Sequence, residues 1–218
     1  MNPRFEFIRP DGTPLGGTTR LKAGTLRSPI FGFLGLRPLA AEHTRDEDGL
    51  LRQAARDRRC VVEIGVGEGG SSVALRSEMS RTGTLYLIDP FHLARWRCLN
   101  GMKWAARRAV NSVPRGRVVW IEKFSEDAAR NWNAAIDFLF IDGDHSSEAV
   151  ARDWSGWSRF VEPGGRVAFH DARVYPGGWT ARDWGPVQFV DRHFRNRLPS
   201  GWVIVAEVHS TVVVERVS

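Results

Sequence analysis

Residues 61–72, Val61-Val62-Glu63-Ile64-Gly65-Val66-Gly67-Glu68-Gly69-Gly70-Ser71-Ser72, limit the fold of this chain more than any other stretch. A short β-branched run carrying one acid leads into glycines at 65, 67, 69 and 70, and helical spacing follows at Val73, Ala74, Leu75 and Met79. The pattern reads as strand, tight turn and helix start. Glycine suits a backbone that turns sharply and comes close to a ligand, where a Cβ would obstruct. A helix start offers free N–H groups and the positive end of a dipole to an anionic group on that ligand. The stretch is therefore expected to be a nucleotide-type cofactor loop.

The glycines leave the cofactor open. Gly65, Gly67 and Gly70 satisfy the dinucleotide pattern G-x-G-x-x-G, while Glu63, Gly65, Gly67 and Gly69 satisfy the E-x-G-x-G-x-G pattern of S-adenosylmethionine (SAM) enzymes. Both require an acid at the end of the next strand to take the ribose hydroxyls, and the run 84–88 ends in Asp89. Glu63, inside the strand, tips the balance toward SAM, and Ser71 and Ser72 at the helix start join the expected cofactor contacts.

A chain of 218 residues is long enough for one full α/β domain and too short for two of ordinary size. The N-terminus lacks the layout of a signal peptide, and residues 28–41 are too short and too broken by Pro29, Arg37 and Pro38 to span a membrane. Cys60 and Cys98 do not suggest a disulfide framework, so a cytoplasmic protein without membrane attachment is expected. The net charge of +6 comes from 28 arginines against three lysines, scattered along the chain. No basic run of the kind a polyanion track uses is present, so no nucleic-acid partner is expected.

Residues 1–45 carry many Pro and Gly and no sustained period, which predicts an irregular arm or lid; the domain proper is expected over 46–218. Thr44 followed by Glu47 resembles a capping box for a helix running to about Arg58. Helices are expected over 96–111, after Ser125, over 147–160 and over 187–197, and strands over 118–122, 136–141 and 166–169. Runs at 202–208 and 211–216, with His209 and Ser210 between them, predict an antiparallel hairpin. The fold class expected is α/β: a Rossmann-like, seven-stranded, mostly parallel sheet with helices on both faces and a C-terminal antiparallel hairpin.

Ligands of such sheets sit at the carboxyl ends of the strands. The polar candidates fall there: Asp89, Asp142, Asp144, His145, His170 and Asp171, with Ser125 beside the expected adenine site or capping its helix. Two carboxylates and an imidazole, Asp142, Asp171 and His170, can together hold a divalent cation. Oxygen ligands favour Mg²⁺, and the imidazole moves some weight toward Mn²⁺ or another transition metal.

The segments around Glu63-Ile64-Gly65-Val66-Gly67-Glu68-Gly69, Asp89, Asp142-Gly143-Asp144-His145 and Gly164-Gly165 to His170-Asp171 resemble class I SAM-dependent methyltransferases. The resemblance covers roughly residues 45–216 and is nearest to small metal-dependent O-methyltransferases acting on sugars and secondary metabolites. It implies SAM as cofactor, with Asp142 near it. It also implies a divalent metal, Mg²⁺ before Mn²⁺, on Asp142, His170 and Asp171, and Asp144 or His145 as the general base. His170 stands where that pattern has an acid. The implied activity is methylation of a hydroxyl on a small-molecule or saccharide acceptor, by a chain acting alone or as a homodimer. An NAD-dependent oxidoreductase is the alternative reading, but Tyr86 and Tyr175 both lack a lysine four residues on. A nucleic-acid methyltransferase is another; its amino-methylating members carry an N/D-P-P-Y type motif where this chain has Asp142-Gly143-Asp144-His145.

Overall fold

The computed structural model describes residues 4–9, 15, 28–91, 100–196 and 201–218. Much of the expected arm, residues 1–3, 10–14 and 16–27, lies outside these, as do residues 96–99 and Arg197 of two expected helices.

The central sheet holds seven strands. β3 (Cys60–Ile64), β4 (Thr84–Ile88), β5 (Arg117–Ile121), β6 (Ile136–Ile141) and β7 (Val161–Phe169) are parallel, and β8 (Trp202–Val208) and β9 (Thr211–Arg216) form the closing hairpin. The spatial order is β5-β4-β3-β6-β7-β9-β8, with β9 antiparallel to β7. The fold class is the one the sequence predicts. Alternation along each strand sends side chains to opposite faces. Val62, Ile64, Leu139 and Ile141 pack with α5 (Ser125–Arg130), α6 (Ser147–Trp157) and α7 (Gly185–Val190). Val61, Phe138 and Phe140 pack with α2 (Arg45–Ala55), α3 (Gly70–Glu78) and α4 (Gly101–Asn111). Asp137 interrupts the apolar run of β6 because both its oxygens accept backbone N–H groups, from Arg59 at 2.6 Å and Cys60 at 2.9 Å, where β3 begins.

Several boundaries differ from expectation. Residues 162–165 belong to β7, and the expected turn survives there as a register irregularity with Gly164 at φ +80°. The last helix is α7 followed by a π-helical turn over Asp191–Arg195. α2 ends at Ala55, where Arg56 leaves helical dihedrals. Phe124, not Ser125, caps α5. The N-terminal region holds a two-stranded parallel sheet, β1 (Phe5–Phe7) with β2 (Leu39–Ala41), and a short helix α1 (Pro29–Phe33). Three-residue strands are too short to show a period in sequence. No helix of the described residues is long and apolar enough to cross a membrane.

The capping box forms as the sequence predicts: Thr44 Oγ1 accepts from Glu47 N at 3.1 Å, and Thr44 N donates to Glu47 Oε2 at 2.7 Å. Glu47 does more than cap. It is completely buried, and its Oε1 accepts from Ser210 N (2.9 Å), Ser210 Oγ (2.6 Å) and Thr211 Oγ1 (3.1 Å) at the tip of the hairpin. Burial alone would raise its pKa, but the charge of His170 and these hydrogen bonds outweigh burial and hold it below the ordinary glutamate value.

Glu47→Ala leaves these donors buried without a partner and is expected to cost about 3–5 kcal/mol in urea denaturation, with Glu47→Gln costing less. A depressed folded-state pKa contributes stability that is present above the unfolded value and lost as pH falls through the folded one. The stability difference between wild type and Glu47→Gln should therefore hold at neutral pH and shrink only below the ordinary glutamate range.

Candidate functional site

The chain runs outward from β3 through β4 to β5, then returns to β6 beside β3, which leaves a crevice where the strand order reverses. Gly65 lies there. Its φ is +83°, its N–H donates to Ile88 O at 3.0 Å, and a Cβ on it would sit 1.9 Å from the carbonyl oxygen of Asp142. On the other strand Asp142 N donates to Ile64 O at 2.9 Å. Gly67 (φ +54°) and Gly69 (φ +87°, the N-cap of α3) complete a left-handed path that only glycine follows easily, and a Cβ on Gly67 would meet nothing within 4 Å.

Glu63 is fully buried and accepts from both Ser71 Oγ and Ser72 Oγ, the latter at 2.6 Å. Burial pushes its pKa up to about 8 despite those bonds. The two serine hydroxyls thus tie the start of α3 to β3. Asp89 Oδ2 accepts from Val66 N at 3.0 Å and Oδ1 from Phe91 N at 2.7 Å, which fixes the carboxylate beside the glycine loop. Each oxygen keeps a lone pair for a hydroxyl donor. Ser125 Oγ accepts from Trp157 Nε1 at 2.8 Å, so its hydroxyl is engaged within the protein.

A second part of the cradle was not visible in the sequence. Glu68, inside the loop, forms a buried two-pronged pair with Arg37 (3.0 and 2.5 Å) and accepts from Ala40 N at 2.9 Å. β2 is thereby clamped to the loop. The following residues, Glu42 and His43, reach the far side of the site.

Asp142, His145, His170 and Asp171 come together at the ends of β6 and β7. His170 Nδ1 lies 3.1 Å from Asp142 Oδ1 and 3.6 Å from Asp171 Oδ2; His145 Nε2 lies 3.8 Å from Asp142 Oδ1 and 3.1 Å from Asp171 Oδ2. Trp179 Nε1 donates to Asp171 Oδ1 at 2.7 Å. Donor atoms of Asp142, His145 and His170 all fall within 4.8 Å of one another. Neighbouring ligands of a dication bound at 2.0–2.2 Å are separated by roughly 3.0–3.5 Å; the His170–Asp142 pair stands at that spacing, and His145, 3.8 Å from Asp142, lies outside it. The compact triple has His145 where the sequence reading has Asp171, and Asp171 touches both imidazoles. Burial would lower the His170 pKa, but Asp142 and then Asp171 hold it well above the ordinary histidine value. His145 is raised as well: burial opposes the shift, and the Asp171 bond and the Asp142 charge outweigh it. Asp171 is lowered; burial opposes, and the charge of His170 prevails.

A pocket of about 430 Å³ opens over this cluster, lined by Glu42, Asp142, His145, His170, Asp171, Asp183, Trp184 and Gly185. Asp144 does not line it. Asp144 is exposed, and its Oδ1 accepts from Ser146 N at 2.7 Å, a bond that lowers its pKa. Of the two candidate bases, only His145 faces the pocket. Glu42 and Asp183 escaped the sequence reading. Glu42 follows a three-residue strand, the same strand-then-acid signal as Asp89 and Asp142 but on a strand too short to register. Burial, then the neighbouring Asp142 carboxylate, raises its pKa.

The sequence profile of a family described as "Methyltransferase domain" matches residues 62–172, half of the chain. A curated relative, an uncharacterized protein of Acanthamoeba polyphaga mimivirus, is 29% identical over 135 residues. That match takes in 59% of this chain and 58% of the relative, so the chain spans less than two thirds of the relative's length. Among solved structures, the O-methyltransferase TomG from Streptomyces achromogenes, in complex with SAM, has a TM-score of 0.60 at 16% identity, covering 88% of this chain and 87% of that one. An rRNA methylase from Streptococcus thermophilus has a TM-score of 0.54 at 12% identity, covering 79% and 95%. At these identities the two structures speak for the fold.

The two glycines separate close approach from backbone strain. Gly65→Ala collides with the Asp142 carbonyl and should abolish binding of S-adenosylhomocysteine in equilibrium dialysis. Gly67→Ala meets no atom, costs only about 1–2 kcal/mol of left-handed strain in urea denaturation, and should retain measurable binding.

Proposed function

The chain belongs to the methyltransferase-domain family and has the class I SAM-dependent fold, and from that premise we propose that it is an O-methyltransferase. In this reading it methylates a hydroxyl of a saccharide or glycosylated small molecule with the help of a divalent cation. The oxidoreductase alternative falls with the family.

One observation carries the reading: Asp142 is common to both halves of the site. Its carbonyl abuts Gly65 in the cofactor cradle, and its carboxylate belongs to the polar cluster under the pocket. A methyl donor on the glycine loop and an acceptor in the pocket are thereby brought against the same residue.

The acceptor oxygen attacks the methyl carbon in line with the carbon–sulfur bond. That bond breaks, its electrons stay on sulfur, and S-adenosylhomocysteine leaves. The sulfonium loses its charge as it does so, and the protein's main contribution is to place two reactants. His145 takes the hydroxyl proton: it lines the pocket, and its Nε2 is oriented by Asp171. Asp142, His170 and Asp171 would hold the cation. When bound, it supplies Lewis acidity that lowers the pKa of the acceptor hydroxyl. Trp184 offers an aromatic face beside His145, 5.8 Å between ring centroids, on which a sugar ring can rest. Among the described residues, four carboxylates and no lysine or arginine line the pocket, which supports an uncharged or cationic acceptor over a phosphate-bearing nucleic acid.

With methyl-labelled SAM and a panel of free sugars, glycosides and ribosomal RNA, label is expected in the sugar or glycoside fraction as a stable ether. Label confined to RNA would overturn the acceptor assignment. His145→Ala is expected to lower kcat by about 10²- to 10⁴-fold while leaving S-adenosylhomocysteine affinity within about twofold; unchanged turnover would remove His145 as the base.

A further inference from the structure

The cation site of the proposed function has a chemical preference of its own, and this inference rests on that reading. We propose that the cation held between Asp142 and His170 is a nitrogen-accepting transition-metal dication, of the Mn²⁺ to Zn²⁺ series, and not Mg²⁺. The proposal departs from the Mg²⁺ that the sequence suggests.

His170 follows directly on β7; its own N–H donates to Ile141 O at 3.1 Å, and its side chain is only 2% exposed. The ring is boxed by Phe140 (centroids 6.2 Å apart) and His43 (6.5 Å), both close to edge-on. It cannot swing out and leave the cluster to oxygen ligands. Its Nδ1 lies 3.1 Å from Asp142 Oδ1 and 3.6 Å from Asp171 Oδ2, so any ion between the carboxylates meets a nitrogen. The other nitrogen, Nε2, is buried and has no hydrogen-bond partner among the described residues, and Nδ1 is the nitrogen that faces the carboxylates.

The half-exposed His145 brings a second imidazole to the same centre, with Nε2 3.1 Å from Asp171 Oδ2. It is the movable ring of the pair and the base of the proposed reaction; the nitrogen preference needs only the fixed one. Mg²⁺ takes oxygen ligands in a near-ideal octahedron and keeps several waters, whereas imidazole suits manganese through zinc with rising affinity. A third carboxylate would have given a harder and more negative site. Histidine in its place lowers both the hardness and the charge.

The test uses the full chain freed of metal by EDTA and dialysis. Calorimetric titration should show Co²⁺ binding about 100-fold or more tighter than Mg²⁺, with Mn²⁺ between them. His170→Asp should narrow the Co²⁺ to Mg²⁺ ratio by about tenfold or more. That variant places a further acid in a buried site and can fail to fold. Pulsed electron paramagnetic resonance of Mn²⁺ bound to the wild-type chain therefore gives a second readout, in which ¹⁴N hyperfine coupling from a bound imidazole is expected. Mg²⁺ binding as tightly as Co²⁺, or Mn²⁺ bound without nitrogen coupling, would overturn the proposal. S-adenosylhomocysteine titrated into the same metal-free chain separates the levels. If it binds while no dication does, the cation inference fails alone; if neither binds, the reading beneath it fails too.

Discussion

The contact between Gly65 and the backbone of Asp142 is the constraint on which the site depends. Hydrogen bonding between β3 and β6 brings the two residues together at the reversal of strand order, and the missing Cβ lets the glycine loop close against the carbonyl. Both strands are strongly apolar and packed on both faces, so the sheet core sets this approach. Everything polar at the site follows from it. The loop is presented on one side, the Asp142 carboxylate on the other, and His170 and Asp171 arrive in register one strand further along.

A second set of polar ties fixes the periphery to this core. Glu47 joins the start of α2 to the tip of the β8–β9 hairpin, and Arg37 joins β2 to the cofactor loop through Glu68. Both are buried, and buried acids must be satisfied by several donors or a charge partner. Between them lies the short stretch 39–47, which touches the loop at Ala40, the pocket at Glu42 and the ring of His170 at His43. The N-terminal segment, where described, is therefore part of the wall between the glycine loop and the pocket.

The fold was legible because its signals are long and regular. Five apolar runs alternating with helical periods fix a parallel sheet, and the Thr44–Glu47 capping box and the hairpin turn at His209 and Ser210 are local chemistry that tertiary packing had no reason to overrule. The carboxyl-end candidates Asp89, Asp142, His145, His170 and Asp171 were legible for the same reason, since a charged residue at the end of an apolar strand stands out. What escaped notice lies where the pattern is short. Glu42 sits after a three-residue strand, Arg37 between two prolines' worth of irregular chain, and the partner of Glu68 is 31 residues away. Sequence spacing also cannot choose between Asp144 and His145, adjacent residues on one turn. Only the fold shows Asp144 exposed and accepting from the Ser146 amide while His145 faces the pocket.

The measurement closest to the central claim is calorimetric titration of S-adenosylhomocysteine into the wild-type chain, with and without added divalent cation. The account predicts a single site with micromolar affinity, about 8 kcal/mol, because the cradle is built by the glycine loop and Asp89 and does not need the cation. Absence of binding under both conditions would contradict it, since a loop held this tightly around Gly65 would then be serving some other ligand.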